Sequence, residues 1–113
     1  MKNIEVHGVE IVSAYSNTEI LKIISVKPKT QLTEVLYELI THTKHGCSTS
    51  YFVSSCFVLN PQDNVMRLRR MGLDVDCNLL KLKNKYGRPI KYGVYKITDV
   101  SKAVELYKKL TDA

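Results

Sequence analysis

The segment from Leu59 to Gly72 carries the residues best suited to recognise another molecule. Asn60 can accept hydrogen bonds from the first free amides of a helix, and Pro61 suits the first helical position. Gly72 suits the left-handed residue that ends a helix. The spacing therefore predicts an amphipathic helix over residues 61–71. Its apolar residues share one side, and they are Pro61, Val65, Leu68 and Met71.

The opposite side of this helix is polar and basic, and it presents Gln62, Asp63, Met66, Arg67 and Arg70, with Arg69 on the flank. Arginine pairs with guanine, and glutamine with adenine, through two hydrogen bonds each, so this side suits the major groove of DNA. A solvated amphipathic helix without a partner gives the same pattern. This segment alone leaves both interpretations open.

The residues after Gly72 favour the DNA interpretation. Two runs with partial apolar/polar alternation, residues 79–83 and 90–97, flank a polar stretch that contains Asn84 and Gly87. This pattern predicts a β-hairpin. The tip is basic and contains no acidic residue; its basic residues are Lys83, Lys85, Arg88 and Lys91.

From about Thr30 to Ile97, roughly three-fifths of its length, the chain resembles the small winged helix-turn-helix DNA-binding domains of many bacteriophages and prophages. The strongest match runs from Val65 to Gly72: an apolar residue, two further positions, Leu-Arg, a basic residue, and then glycine before a strand. Shorter matches lie at Leu32–Leu39, Cys47–Val53, Asn84–Arg88 and Lys91–Tyr95.

The resemblance implies a three-helix core with a β-hairpin wing. Helix 61–71 would read bases through Gln62, Asp63, Met66, Arg67 and Arg70. The backbone or minor groove would be contacted by Tyr51, Arg69, Lys83, Lys85, Arg88 and Lys91. One departure is the bulky turn Cys56–Leu59, where such domains carry a small residue. Either this turn is longer, or the second helix extends and buries Phe57 and Val58.

The fold class expected is α+β in three parts: residues 1–29, 30–97 and 98–113. Residues 4–12 and 20–26 are rich in β-branched side chains, which predicts an antiparallel strand pair before the winged domain. Two strands alone are marginally stable in water, so they must pack on the domain or on a second subunit. Residues 98–113 predict an amphipathic helix that docks on the chain's own core or, alternatively, on a second subunit.

Composition restricts the class of partner. The 113 residues suffice for one domain, and 17 Lys and Arg against 11 Asp and Glu give a net charge of +6. Such a charge favours anionic partners. No apolar run approaches the ~20 residues that span a bilayer, and the first residues lack a signal-peptide pattern, so we expect a cytoplasmic protein in its host cell.

We expect no enzyme activity, cofactor or metal. The sequence contains no phosphate-binding glycine loop, nucleophile elbow or acidic pair with an evident metal role. Cys47, Cys56 and Cys77 are widely spaced among apolar neighbours, which is typical of reduced core thiols. A zinc site that joins Cys47 and Cys56 to His42 and His45 is rejected because no close cysteine pair is present.

The sequence therefore predicts a sequence-specific double-stranded DNA-binding protein that acts as a phage or mobile-element transcriptional regulator. We expect a homodimer with its contact through the N-terminal strands, although a monomer that folds both extra elements onto its own core is the alternative. A second function stays open: a winged helix that binds a host polymerase or defence protein. Basic residues at both the helix and the hairpin tip favour DNA.

Overall fold

The computed structural model describes residues 2–6, 9–13 and 16–111, which form an α+β architecture. Strands β1 and β2 pair antiparallel, and a second antiparallel sheet has the order β3-β5-β4. The elements in chain order are β1 (Lys2–Val6), β2 (Val9–Ser13), α1 (Asn17–Ile24), α2 (Gln31–Thr41), β3 (Cys47–Ser48), α3 (Thr49–Ser55), α4 (Pro61–Arg70), β4 (Val75–Lys83), β5 (Pro89–Ile97) and α5 (Val100–Thr111).

One hydrophobic core lies between the helices and the base of the β4–β5 hairpin. Helix α2 is central, since it packs against α4, α5 and β5. The largest fully buried side chains include Leu36, Phe52, Leu68 and Tyr107, which come from α2, α3, α4 and α5 respectively. The expectation that the C-terminal helix docks on the chain's own core is confirmed, because its apolar side is buried there.

The N-terminal strands differ from the prediction. Residues 4–12 contribute to two strands, β1 and β2, that pair with each other, and residues 7–8 between them lie outside the described residues. The strand predicted over 20–26 is wrong, because residues 20–24 belong to helix α1 and Ser25 is its C-cap. Ser16 caps the helix by accepting a hydrogen bond from the Glu19 amide. Ile20, Ile23 and Ile24 follow helical spacing toward the core, so tertiary burial outweighs the β propensity of isoleucine.

Gly46 sets the short strand β3 against β5. Its φ is +72°, a conformation that glycine adopts without strain, and a Cβ there would lie 2.5 Å from the Tyr95 carbonyl oxygen. Cys47 then pairs with Tyr95 and Ser48 with Val94. The chain thus enters α3 directly from the sheet, with Ser48 as the N-cap.

The turn between α3 and α4 is long, which is the first of the two alternatives predicted from the sequence. Helix α3 ends at Ser55, and Phe57 follows with φ +56°, where glycine is usual. The Val58 amide donates to the Phe52 carbonyl at 2.9 Å, and Val58 is fully buried. Phe57 itself is 78% exposed, so the other alternative, an extended helix that buries both residues, is wrong.

Candidate nucleic-acid interface

Helix α4 is fixed at both ends by capping hydrogen bonds, from the Asn60 side chain at its start and from the backbone at its end. Asn60 accepts a hydrogen bond from the Asp63 amide at 3.3 Å, and Pro61 is the first helical residue, as predicted. At the other end Gly72 has φ +95° and donates to the Arg69 carbonyl, while Leu73 donates to the Leu68 carbonyl at 3.1 Å. This pair of bonds is a Schellman motif. The helix ends at Arg70, one residue before the predicted end.

The inner side of α4 follows the predicted pattern with one exception. Pro61, Val65 and Leu68 are buried, as expected. Met71, predicted on the same side, is exposed because it is the C-cap residue and the chain there already turns toward Gly72. Asn64 is buried too, and its Nδ2 donates to the Asn60 carbonyl at 3.1 Å.

The outer face of α4 is defined by the five residues predicted to read bases, and all five are exposed: Gln62, Asp63, Met66, Arg67 and Arg70. Arg67 Nε lies 3.5 Å from Asp63 Oδ2, one helical turn away. Both side chains are more than half exposed, so the pair contributes little to stability. Its effect is to lay the Arg67 guanidinium along the helix surface.

Arg69 forms hydrogen bonds within the chain that no local sequence pattern indicated. Its Nε and Nη2 both donate to the Val75 carbonyl, at 3.1 and 2.7 Å. The guanidinium therefore joins the last turn of α4 to the first residue of β4. The prediction that Arg69 contacts phosphate omitted this contact. Two of its five N–H donors are directed at Val75, and a third, on Nη1, donates to Met66 Sδ at 3.9 Å.

The predicted hairpin is present, with β4 beginning at Val75, shortly after Gly72. Its loop closes through Asn84, whose amide donates to the Arg88 carbonyl at 2.8 Å and whose carbonyl accepts from the Gly87 amide at 2.9 Å. Asn84 Oδ1 also accepts from the amides of Tyr86 and Arg88. With φ +78°, Gly87 takes the left-handed position that ends a three-residue hairpin loop.

All four basic residues predicted at the wing are exposed: Lys83, Lys85, Arg88 and Lys91. The register places Lys91 directly opposite Lys81, a residue that the prediction missed. The period-two pattern Leu80-Lys81-Leu82-Lys83 was the signal, because it puts Lys81 and Lys83 on one face. We call Lys81, Lys83 and Lys91 the cationic face of the hairpin. Like charges directly opposite each other destabilise a sheet, so this face suits an anion.

Within the described part of the chain, no carboxylate forms an ion pair with the cationic face or with the loop residues Lys85 and Arg88. Lys85 Nζ lies 5.0 Å from the centre of the Tyr86 ring, an exposed cation–π contact. The cationic face continues the side of the hairpin that buries Val75 and Ile97 at its base. Its lysines therefore extend from the core-facing side of the hairpin.

Tyr51 does not face outward as predicted. It is half-buried, and its hydroxyl donates to Glu38 Oε1 on α2 at 3.3 Å. The Cys56 thiol donates to the same carboxylate oxygen. Burial and the nearby Glu38 charge raise the pKa of Tyr51. Because a partly buried carboxylate needs donors, Tyr51 satisfies Glu38 and we omit it from the candidate interface.

The three cysteines are free thiols, but they do not share one environment. Cys47 is buried, Cys56 half-buried and Cys77 exposed, so the prediction of core thiols holds fully for Cys47 alone. Burial, with a smaller effect of Glu38, raises the pKa of Cys47 to about 12. Among the described residues, no group of three or more His, Cys, Asp or Glu is placed to hold a metal ion. No helix in the described ranges is long and apolar enough to cross a membrane.

Comparison of the chain with protein-family models, curated proteins and solved structures found no match.

Proposed function

We propose that this chain binds double-stranded DNA as a winged helix-turn-helix protein. In this proposal α2, α3 and α4 form the three-helix core, α4 is the recognition helix, and the β4–β5 hairpin is the wing. The observation that carries the proposal is the joining of two exposed basic surfaces, the outer face of α4 and the cationic face of the hairpin, by the Arg69–Val75 hydrogen bonds.

The outer face of α4 supports recognition of sequence. Gln62, Arg67 and Arg70 offer paired donors and acceptors of the kind that recognise base edges, and a helix fits the major groove. The caps at Asn60 and Gly72 hold the helix at a fixed length, so these side chains start from fixed backbone positions. Such preorganisation favours base-specific contacts.

The hairpin supports contact with phosphates or with the minor groove. Lys81, Lys83 and Lys91 are exposed on one face, and Lys85 and Arg88 extend from the loop. Lysine is a flexible point charge, which suits phosphate neutralisation more than base recognition. In this proposal the helix supplies sequence specificity and the hairpin supplies sequence-independent affinity.

A role as a transcriptional regulator of phage or mobile-element type, in the host cytoplasm, is the proposal's biological extension. Its support is the resemblance of residues 30–97 to small phage domains and the positive net charge of +6. A protein that reads an operator must discriminate among many genomic competitors, and base contacts from α4 would supply that discrimination.

The proposal is tested by retaining labelled random-sequence duplexes on the immobilised protein and sequencing the retained pool over several rounds. We expect enrichment of a short motif, which disappears when Arg67 and Arg70 are both replaced by alanine. Weak retention should persist in that double variant through the hairpin. Retention without any enriched motif would contradict sequence reading, and no retention at low salt would contradict DNA binding altogether.

A second candidate function is binding to a host protein, which one observation favours. Phe57 and Leu59, in the turn before α4, are 78% and 81% exposed. Exposed aromatic and aliphatic side chains are typical of protein-docking surfaces. If the random-duplex experiment gives no retention, affinity capture from host extract with the wild-type chain and a Phe57→Ser, Leu59→Ser variant becomes the deciding comparison.

A further inference from the structure

The two faces of the β4–β5 hairpin differ sharply. Side chains alternate along a strand, so residues paired in register share a face. One face carries the three lysines described above. The other carries Leu80 opposite Tyr92 and Leu82 opposite Ile90, which we call the apolar face of the hairpin.

The apolar face is uncovered. Leu80, Leu82 and Ile90 are 43%, 51% and 42% exposed, and Tyr92 is half-buried. On this face no charged side chain occurs between the Asp76–Lys96 pair and the loop. An uncharged apolar strip suits burial against another apolar strip and offers nothing to the phosphates of a nucleic acid.

We propose that the apolar face of the hairpin binds the same face of a second copy of this chain. A two-fold axis at the level of position 81, perpendicular to the strands, would bring Leu80 of each copy onto Leu82 of the other. Contacts of this kind are self-complementary by symmetry. The contact lies on the hairpin and not on the N-terminal strands, where the sequence led us to expect it.

Charge favours this antiparallel arrangement of the two hairpins. Asp76 shares the side of the apolar face and lies five residues before position 81. The loop residue Tyr86 lies five residues after that position. At about 3.4 Å per residue, Asp76 lies roughly 17 Å from the axis, and the loop begins after Lys83, roughly 10 Å from the axis on the other side. The two-fold operation therefore brings Asp76 of one copy to the loop of the other, where Lys85 and Arg88 provide the opposite charge. Lys96, opposite Asp76, is half-buried and its Cγ lies beside Gly46, so Asp76 is the exposed charge at this end.

The dimer contact does not depend on DNA binding. It uses the face of the hairpin opposite Lys81, Lys83 and Lys91, so those lysines stay accessible in the dimer. A chain that dimerises without binding DNA would support this inference and contradict the proposed function. A chain that binds DNA but stays monomeric would contradict this inference and support the proposed function.

The test is sedimentation velocity of the full chain from about 1 to 500 μM, comparing the wild type with Leu82→Lys, Ile90→Lys and Leu79→Lys. Leu79 is the matched control, because it lies on the opposite face and is 68% exposed. We expect a dimer for the wild type and for Leu79→Lys. Leu82→Lys and Ile90→Lys should each raise the dissociation constant roughly a hundredfold or more, since each places two charges in an apolar contact.

Circular dichroism of each variant checks that it is folded. If Leu82→Lys is not folded, Ile90→Lys decides the test. A wild-type chain that stays monomeric at 500 μM would overturn the inference. So would folded Leu82→Lys or Ile90→Lys variants that dimerise like the wild type, or a Leu79→Lys variant that loses the dimer equally.

The orientation has its own test in charge reversal. Asp76→Lys should weaken dimerisation roughly fivefold, because it faces the basic loop of the other copy twice in the dimer. Adding Lys85→Glu and Arg88→Glu to the same chain should restore most of the affinity. Equal dimerisation of all three proteins at low salt would overturn the antiparallel arrangement.

Discussion

The outer face of α4 and the distal hairpin, residues 76–91, are both positively charged, but they are supported in different ways. Behind α4 lies the core, where Val65 and Leu68 are buried, and the helix is fixed at both ends by caps. The distal hairpin has exposed side chains on both faces from Asp76 to Lys91 apart from Asn84. The two surfaces therefore differ in rigidity more than in charge.

This difference indicates separate tasks for the two surfaces. Base reading needs side chains that start from fixed backbone positions, whereas phosphate neutralisation tolerates mobile ones. Arg69 lies at the boundary, because it connects the rigid helix to the hairpin through the Val75 carbonyl.

The largest effect is expected in folding stability, from truncation of one leucine in each region. Leu68→Ala removes a fully buried side chain beneath α4 and should lower the free energy of unfolding by about 2–5 kcal/mol. Leu79→Ala in the exposed hairpin should change it by less than about 0.5 kcal/mol. Urea denaturation measures both. Equal losses would mean that the hairpin is as well packed as the body.

Replacing basic residues should separate specificity from general affinity. Arg67→Ala or Arg70→Ala should weaken binding to a selected operator by about 1–3 kcal/mol and relax preference at one base pair. Lys85→Ala should weaken binding to every duplex alike and make the salt slope shallower by about one. Competition titration with matched and mismatched duplexes checks this. The contrast fails if the Lys85 and Arg67 variants lose the same fraction of specificity.

A smaller effect is expected from the link between the two regions. Arg69→Ala removes two hydrogen bonds to the Val75 carbonyl and should lower stability by about 1 kcal/mol, measured by thermal unfolding. Arg70→Ala is the matched control, because Arg70 is its exposed neighbour and its side chain forms no hydrogen bond or ion pair with another described residue. Arg69→Lys should not rescue the loss, since lysine cannot form the same fork. An unchanged melting temperature in Arg69→Ala would show that the link contributes nothing.

The smallest expected effect is a gain, at the turn that leads into α4. Phe57 has φ +56° and is 78% exposed, so Phe57→Gly should relieve strain and raise stability by about 0.5–1 kcal/mol. Leu59→Gly is the control, because Leu59 is equally exposed without a positive φ, and it should give no gain. Loss of stability in Phe57→Gly would mean that the exposed ring makes a contribution greater than the strain.

The sequence predicted the elements that depend on local signals. Asn60, Pro61 and Gly72 marked the ends of α4, and Asn84 and Gly87 marked the hairpin loop. The strand predicted over 20–26 was wrong because it was inferred from β-branched composition, which leaves helix and strand ambiguous. Ile20, Ile23 and Ile24 have the i, i+3, i+4 spacing of a helix, and that helix buries Ile20 against the core. Composition alone could not resolve that ambiguity.

The candidate site was predicted less completely, because part of it depends on contacts between separate elements. Exposure of the five residues on the outer face of α4 follows from helical period and was confirmed. The hydrogen bonds from Arg69 to Val75 and from Tyr51 to Glu38 join separate elements, so they depend on tertiary packing that no local pattern contains. Whether the five outer residues read bases stays a prediction.

The measurement that tests DNA binding most directly is the salt dependence of affinity for duplex DNA. If the helix and hairpin neutralise about five phosphates per subunit, log affinity against log salt should have a slope near −4 to −5, and about twice that for a dimer. Fluorescence anisotropy between about 50 and 200 mM salt gives the slope. An affinity that barely changes over this range would contradict the phosphate contacts on which the proposed function depends.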